Sequence, residues 1–563
     1  MNDNENSAQS QYQLTQICAI AAALLLGIFW MKHGHRLVAL WHLYRTRIFI
    51  LAIVLGLWAI AMLALKIWEK HVERESNRAI TKADKRAVYL GTNEEGQKIY
   101  LREEFRTGHA QVIGTTNAGK TESVILPWLI KDIENGSGAL IIDGKSDRGF
   151  LDKLYAYAVK HHRESDFRLF SLAEPNFSST FNPLAGGSPQ EVAERVFSSF
   201  GFENEHYRNV QSTIFLQIIS LIQERNHVPT FKLIHRLLTD MEELKRWLDE
   251  CKEKDVERHL RRYHKLEPAE RERKISGLDA KLSQFSTGQL SSLFNSERPQ
   301  LDLGQALRDN LICYFQLPTM YYIELSKATG RLALQCFQSE VAKRHLGFSK
   351  SPGFFSCYLD DFQDYIYEGF ASLLNKSRSA NIGVVFSHQA LGDLRKVSDA
   401  FANIVATNTN IKVVMRSNDP ETCDSLAKTF GTRTSEKVTE RRVKGVLGEQ
   451  DTGEGSVREV EEYRYHPNLI RSLERGQGVV AIPHPKGVTL NLVRFKRHED
   501  LPVIPLPEIQ IARSPTPLVP KSPQSESRPD GTTLAGQKPE RSKEGNSNEK
   551  TNGTPANSPV PVV

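Results

Sequence analysis

Residues 112–124 read VIGTTNAGKTESV, and Gly114–Thr121 matches the pattern GxxxxGK[ST] in full. No other stretch restricts the fold as much. A loop of this composition turns its backbone N–H groups inward around a phosphate chain, and it does so between a buried strand and the start of a helix. AQVIG at residue 110 supplies the strand, and a helical pattern from Glu122 to Ile133 supplies the helix. Phosphate then meets a helix N-terminus. The amides of Gly114, Thr115, Thr116, Asn117, Ala118 and Gly119 form the cradle. Lys120 reaches the β- and γ-phosphates, and the Thr121 hydroxyl ligates Mg²⁺.

A strand of this kind needs parallel neighbours. Apolar runs at GALIID (138), FRLFSL (167), LICYFQL (311), FFSCYLDD (354), IGVVFSHQ (382), IKVVM (411) and GVVAI (478) are continuous rather than alternating. This is the mark of strands covered on both faces. The fold class that follows is α/β, a RecA-like P-loop NTPase sheet. The loop also needs an acidic partner at a strand end, to hold Mg²⁺ and polarise water. Asp360 and Asp361 close the stronger run, Asp360 for the metal and Asp361 for the water. Asp143 closes another run and, with Lys145 and Asp147 behind it, is expected to line the site from the side. Gln389 ends a further strand, where an amide can sense a γ-phosphate or orient water.

Two uncharged segments lie near the N-terminus, 14–31 and 48–65, each close to the ~20 residues that cross a bilayer. They predict a transmembrane hairpin over 14–66, after a cytoplasmic segment 1–13. Basic residues flank both sides of the second span and slightly favour a cytoplasmic C-terminal side, as ATP requires. The net charge of +6 demands neither nucleic acid nor an anionic membrane. The six cysteines contain no CxxC pair, which argues against a zinc ribbon or disulfide scaffold.

The sheet is interrupted. Residues 187–305 lack convincing strands and read as an all-helical insertion domain, with Thr230 placed to cap one helix. Its charged stretch reads first as a solvated face. Arg258, Arg261, Arg262, Lys265 and Tyr263 are the alternative, as contacts to phosphates and bases. The ATPase domain is then 67–186 and 306–503. Residues 433–466 form a polar loop or hairpin, and 504–563 is a Pro/Ser-rich tail expected to be disordered.

The order of parts is HAQVIGTTNAGKT, ALIIDGKSDRG, FNPL, a helical insertion, YLDDF, NKSRSANIGVVFSHQ and LERGQGVVAI. Behind two spans, it resembles the type IV coupling proteins of conjugation and type IV secretion. This is the TraD/TraG-like group within the FtsK- and HerA-like ring motors. The resemblance implies a homo-hexamer at the cytoplasmic face of the inner membrane, with ATP and Mg²⁺ between subunits. It implies single-stranded DNA, relaxase and relaxosome proteins, and type IV secretion channel components as partners. It also implies that Arg378 acts as an arginine finger, with Arg416 a lesser candidate. One position departs from the family: Asp361 stands where glutamate is usual. The function expected is ATP-driven delivery of a relaxase–DNA complex to the channel. The alternatives are a nucleotide-ordered docking platform without motor activity, an FtsK-like duplex translocase, and a coupler of protein cargo.

Overall fold

The computed structural model describes residues 20–34, 53–68, 84–202, 204–347, 353–445, 448–485 and 487–509, with positions 36 and 38, and of 437–457 the backbone alone. The expected spans fall partly outside these residues. Residues 20–34 and 53–68 are helical, and their apolar side chains, Leu25 and Trp58 among them, are exposed. No described helix is long and apolar enough to cross a membrane. The expected multi-pass arrangement therefore has no support in the described residues. The segment 1–13 and everything beyond 509 lie outside them.

The strands are β1 (Val88–Thr92), β2 (Lys98–Leu101), β3 (Ala110–Ile113), β4 (Gly138–Asp143), β5 (Phe167–Ser171), β6 (Ile312–Gln316), β7 (Phe355–Asp360), β8 (Ile382–His388), β9 (Ile411–Val414), β10 (Thr432–Gly445), β11 (Gly448–Tyr463), β12 (Gln477–His484) and β13 (Gly487–Phe495). Among the described residues one sheet runs in the order β2-β1-β13-β12-β9-β3-β8-β7-β4-β6-β5, and β10 pairs with β11 as a separate hairpin. From β9 to β5 every pairing is parallel. From β9 outward through β12, β13, β1 and β2 every pairing is antiparallel. The parallel strands β3, β4, β6, β7, β8 and β9 are buried along their whole length, because helices cover both faces. Strands β1, β2 and β13 were not expected from the sequence; they form the edge extension.

From Pro189 to Asp309 the described elements are all helices. Ser188, Asn204, Thr230, Asp240 and Asp302 each accept a backbone N–H at a helix start, which fixes where these helices begin. The FNPL stretch anchors this region to the sheet. Asn182 Nδ2 donates to the carbonyls of Pro229 at 2.9 Å and Ser296 at 3.1 Å. Phe181 packs edge-on against Phe170 of β5 and Phe315 of β6. Tyr263 is buried, and its hydroxyl donates to Leu238 O at 2.8 Å. Arg261 pairs with Glu257 and Asp249, and Arg258 pairs with Asp255. Tyr263 is thus a core residue rather than a base-stacking surface, and this helix is an ion-paired, solvated face.

The expected tail boundary also moves. Leu506 is buried with Leu501 and Ile504 against the core under β1 and β3, and Ile509 N donates to Asn176 O at 3.1 Å. The five described cysteines are buried free thiols.

Candidate nucleotide site

β3 lies between β8 and β9, and the loop that follows it is held by its neighbours. Gly114 N donates to His388 O, Thr115 N donates to Arg416 O at 2.8 Å, and Gly476 N donates to Ala118 O at 3.2 Å. The loop needs unusual backbone at Gly119, φ +100°, and at Asn117, φ +67°. Glycine adopts the first freely, and asparagine tolerates the second. A Cβ on Gly114 would come to 3.0 Å from Met415 Cβ, just past β9, so a side chain there would crowd that residue. The amides of Thr116, Asn117 and Gly119 make no backbone hydrogen bond among the described residues. The helix then opens with a π-helical turn, Thr121–Ile125, and continues as Leu126–Glu134.

Lys120 is buried, and its Nζ donates to the loop's own carbonyls, Gly114 O at 2.7 Å and Thr115 O at 3.4 Å. Burial pulls its pKa below the ordinary value, with Asp361 and Asp360 opposing. The hydroxyl of Thr121 donates to Asp360 Oδ2 at 2.6 Å. Ser387 Oγ donates to the other oxygen of Asp360 and accepts the Asp361 amide at 3.2 Å. Tyr365 OH donates to Asp360 O and Ile142 O. This bracing gives the end of β7 one orientation.

Asp361 occupies the left-handed region, φ 47°, which non-glycine residues enter at a cost. Its carboxylate is nearly buried. Oδ2 pairs with Lys145 Nζ at 3.1 Å, and Oδ1 has no hydrogen-bond partner. A buried carboxylate oxygen left open costs free energy that a ligand or water proton would recover.

Asp143 does not itself line the site. Oδ1 accepts the amides of Lys145 and Ser146, and Oδ2 accepts the Asp147 amide at 2.7 Å and Tyr314 OH at 2.8 Å. Its role is to shape the turn that presents Lys145. Burial pushes its pKa up to about 6 against those donors.

β8 ends at His388, so Gln389 stands one residue past the strand, exposed, with its backbone N–H donating to Asp393 Oδ2. His388 is the buried residue there. Gln111 Nε2 donates to ring Nε2 at 2.9 Å, leaving Nδ1–H to donate to Ala390 O at 2.8 Å. Arg378 follows the helix Phe370–Ser377 just before β8 begins, and is exposed. Within one chain it stands at the far end of the strands from the loop. Arg416 adjoins the loop through its carbonyl, and its Nε is buried without a partner.

The structure therefore brings together Lys120, Thr121, Asp360 and Asp361. It puts Gln389 at the rim and holds Arg378 apart. Sequence reasoning missed Ser387 and the braces Tyr365 and Tyr314. The polar pair Ser387-His388 at the end of an apolar run was the available signal.

A family model described as the TraM recognition site of TraD and TraG matches residues 355–475, from β7 through the hairpin. The chain is 23% identical over 398 residues to the type 4 coupling protein DotL of Legionella pneumophila, covering 60% of this chain and 51% of that protein. A solved structure of the bacterial conjugative coupling protein TrwB, lacking its N-terminal segment, superposes with a TM-score of 0.54 at 12% identity, covering 74% of this chain and 91% of that one. The family model and the DotL match give the chain its likeness to type IV coupling proteins. The plasmid coupling protein TrwB solved in complex with ADP and Mg²⁺ matches with a TM-score of 0.52 at 13% identity, covering 74% of this chain and 91% of that one. At such identities the structural likeness speaks for the RecA-type α/β fold. The chain spans about half the length of the curated relative, 51%.

Proposed function

We propose that the chain is an ATP-hydrolysing coupling protein of the inner membrane. It recruits a relaxase–single-stranded-DNA complex and drives it to a type IV secretion channel during conjugative transfer. The observation that carries the nucleotide half is the 2.6 Å contact between Thr121 Oγ1 and Asp360 Oδ2. A hydroxyl and a carboxylate suited to share one Mg²⁺ face each other, beside a lysine with nothing but loop carbonyls to bind. The glycine-lined cradle and the open Oδ1 of Asp361 fit a bound nucleotide and its attacking water. Bound ATP and Mg²⁺ would supply the phosphoanhydride and the charge that neutralises it.

In this reading the loop from Gly114 to Gly119 holds the phosphates. Lys120 exchanges its carbonyl partners for phosphate oxygens, and Thr121 and Asp360 ligate the metal. Asp361 Oδ1 accepts the proton of the water, and Gln389 orients that water from the rim. Arg378, exposed and remote within its own subunit, reaches the site of the next subunit in a homo-hexamer. A fixed cation there stabilises charge developing on the transferred phosphoryl. Residues 67–186 and 306–503 form the motor, and 187–305 face the cargo.

The test is ATP hydrolysis by the full chain, with and without single-stranded DNA, beside a DNA-transfer assay. Lys120→Ala is expected to abolish hydrolysis and transfer while the protein still reaches the membrane. Undiminished transfer by that variant would remove the motor and leave a docking platform.

A further inference from the structure

Where the end of the helix Pro189–Ser199, the last turns of Pro268–Ser286 and the first turns of Ile323–His345 meet, they enclose a cavity of about 160 Å³. Lys281, Lys327 and Arg331 line it, against one carboxylate, Glu324, with Ser199 and Gln284 completing the polar wall. None of the three cations has an ion pair or a side-chain hydrogen bond among the described residues; Lys327 has the Asp364 carboxylate as a more distant charge neighbour, and Arg331 Nε is buried without a partner. Some cations elsewhere in the helical region are paired. Arg225, Arg236, Arg258, Arg261 and Lys274 each hold a carboxylate. Burial pulls Arg331 below its ordinary pKa, with Glu324 opposing. Gathering like charges in a partly dry cavity is unfavourable unless an anion joins them.

A second feature precedes, in the chain, the helix that carries Glu324, Lys327 and Arg331. Three residues before Glu324, the loop after β6 raises Met320, 97% exposed, and Tyr321, 78% exposed. Cations beside an exposed aromatic ring are the components that hold single-stranded nucleic acid: phosphates in the charged recess, a base on the ring. The cavity has room for a phosphodiester group and several waters.

We propose that this cavity takes a backbone phosphate of single-stranded nucleic acid, bound by Lys281, Lys327 and Arg331, with the adjacent base on Tyr321. The site is separate from the ATP loop, and its ligand rests on the coupling-protein reading above.

The experiment measures binding of a fluorescent oligothymidylate to the full-length protein across a salt series. Arg331→Gln and Lys327→Gln should each raise Kd about fivefold to tenfold and lower the slope of log K against log salt by about 1. Tyr321→Ala should raise Kd about tenfold with the slope unchanged, since stacking releases no counterions. Glu324→Gln should tighten binding, a change of sign that misfolding does not produce. Wild-type protein that hydrolyses ATP but binds no oligonucleotide would overturn the nucleic-acid reading itself. Wild-type binding with unaltered Kd and slope in the two cation variants would overturn the cavity assignment. So would an Arg331→Gln variant that loses only binding of inorganic phosphate or of phosphatidylinositol-phosphate vesicles.

Discussion

The two ends of the parallel strands treat buried charge in opposite ways. At the amino ends, Asp132 accepts both terminal nitrogens of Arg106, the Ser356 hydroxyl and the Tyr358 hydroxyl at 2.6 Å, and the guanidinium stacks over Phe354 at 4.7 Å. Both oxygens are satisfied, and the Arg106 pKa is raised. At the carboxyl ends, Asp361 has one lysine, one open oxygen and a left-handed backbone. The first arrangement satisfies the carboxylate fully, leaves only Arg106 Nε without a partner, and serves the fold. The second is held incomplete, and only an incomplete site leaves binding energy for a ligand.

The contrast predicts where each substitution registers. Asp132→Ala strands a buried arginine and should destabilise the chain by about 3–5 kcal/mol in denaturant unfolding, leaving nucleotide affinity of the folded fraction unchanged. Lys120→Ala should do the reverse. Hydrolysis should fall by at least about 10²–10³-fold, with unfolding free energy within about 1 kcal/mol of wild type.

Each end also buries a neutral histidine. Val384 N donates to His109 Nδ1, so Nε2–H donates to Leu374 O at 2.9 Å; His388 has the other tautomer. Burial lowers both to about 4, from 6.5. The unfolded chain therefore binds more protons between pH 4 and 6.5, and stability drops as pH falls through that window. Each histidine contributes about 3 kcal/mol to the loss. Asp143 opposes them: its pKa, raised from 3.8 to about 6, makes folding favour the proton as pH falls. Unfolding across pH should show a shallower acid loss for His109→Gln and a steeper one for Asp143→Asn.

The smallest expected effect belongs to Lys145→Met: kcat about tenfold lower with KM unchanged, and recovery in Lys145→Arg. Equal loss in both variants would reduce Lys145 to a structural role.

Legibility in the sequence followed burial. β4, β7 and β8 could be read because both faces are covered and, apart from Ser356, Ser387 and the strand ends, their residues are apolar or aromatic. β2 and β13 could not, because nearly half their residues face solvent, with Lys98 and Arg494 among the exposed, and β1 is a short, mostly buried run that includes Gly91. The site was half legible for a related reason. Lys120 and Thr121 share one local motif. The partners of Asp361, Lys145 and Ser387, arrive from β4 and β8, and only the strand order brings them to it. Tyr263 misled because an aromatic residue amid charges reads as exposed, whereas helical spacing turned it inward.

One pairing also bears on how the chain is made. β1 and β2 emerge from the ribosome long before β13, yet among the described residues β1 joins the rest of the sheet solely through β13, with Gly91 opposite Phe495. A two-stranded hairpin is marginal alone. The first ribbon must therefore wait for nearly the whole domain to be translated before it docks. Among the described residues β13 is the last strand to be made and the clasp that completes the sheet, so docking of this edge waits for it.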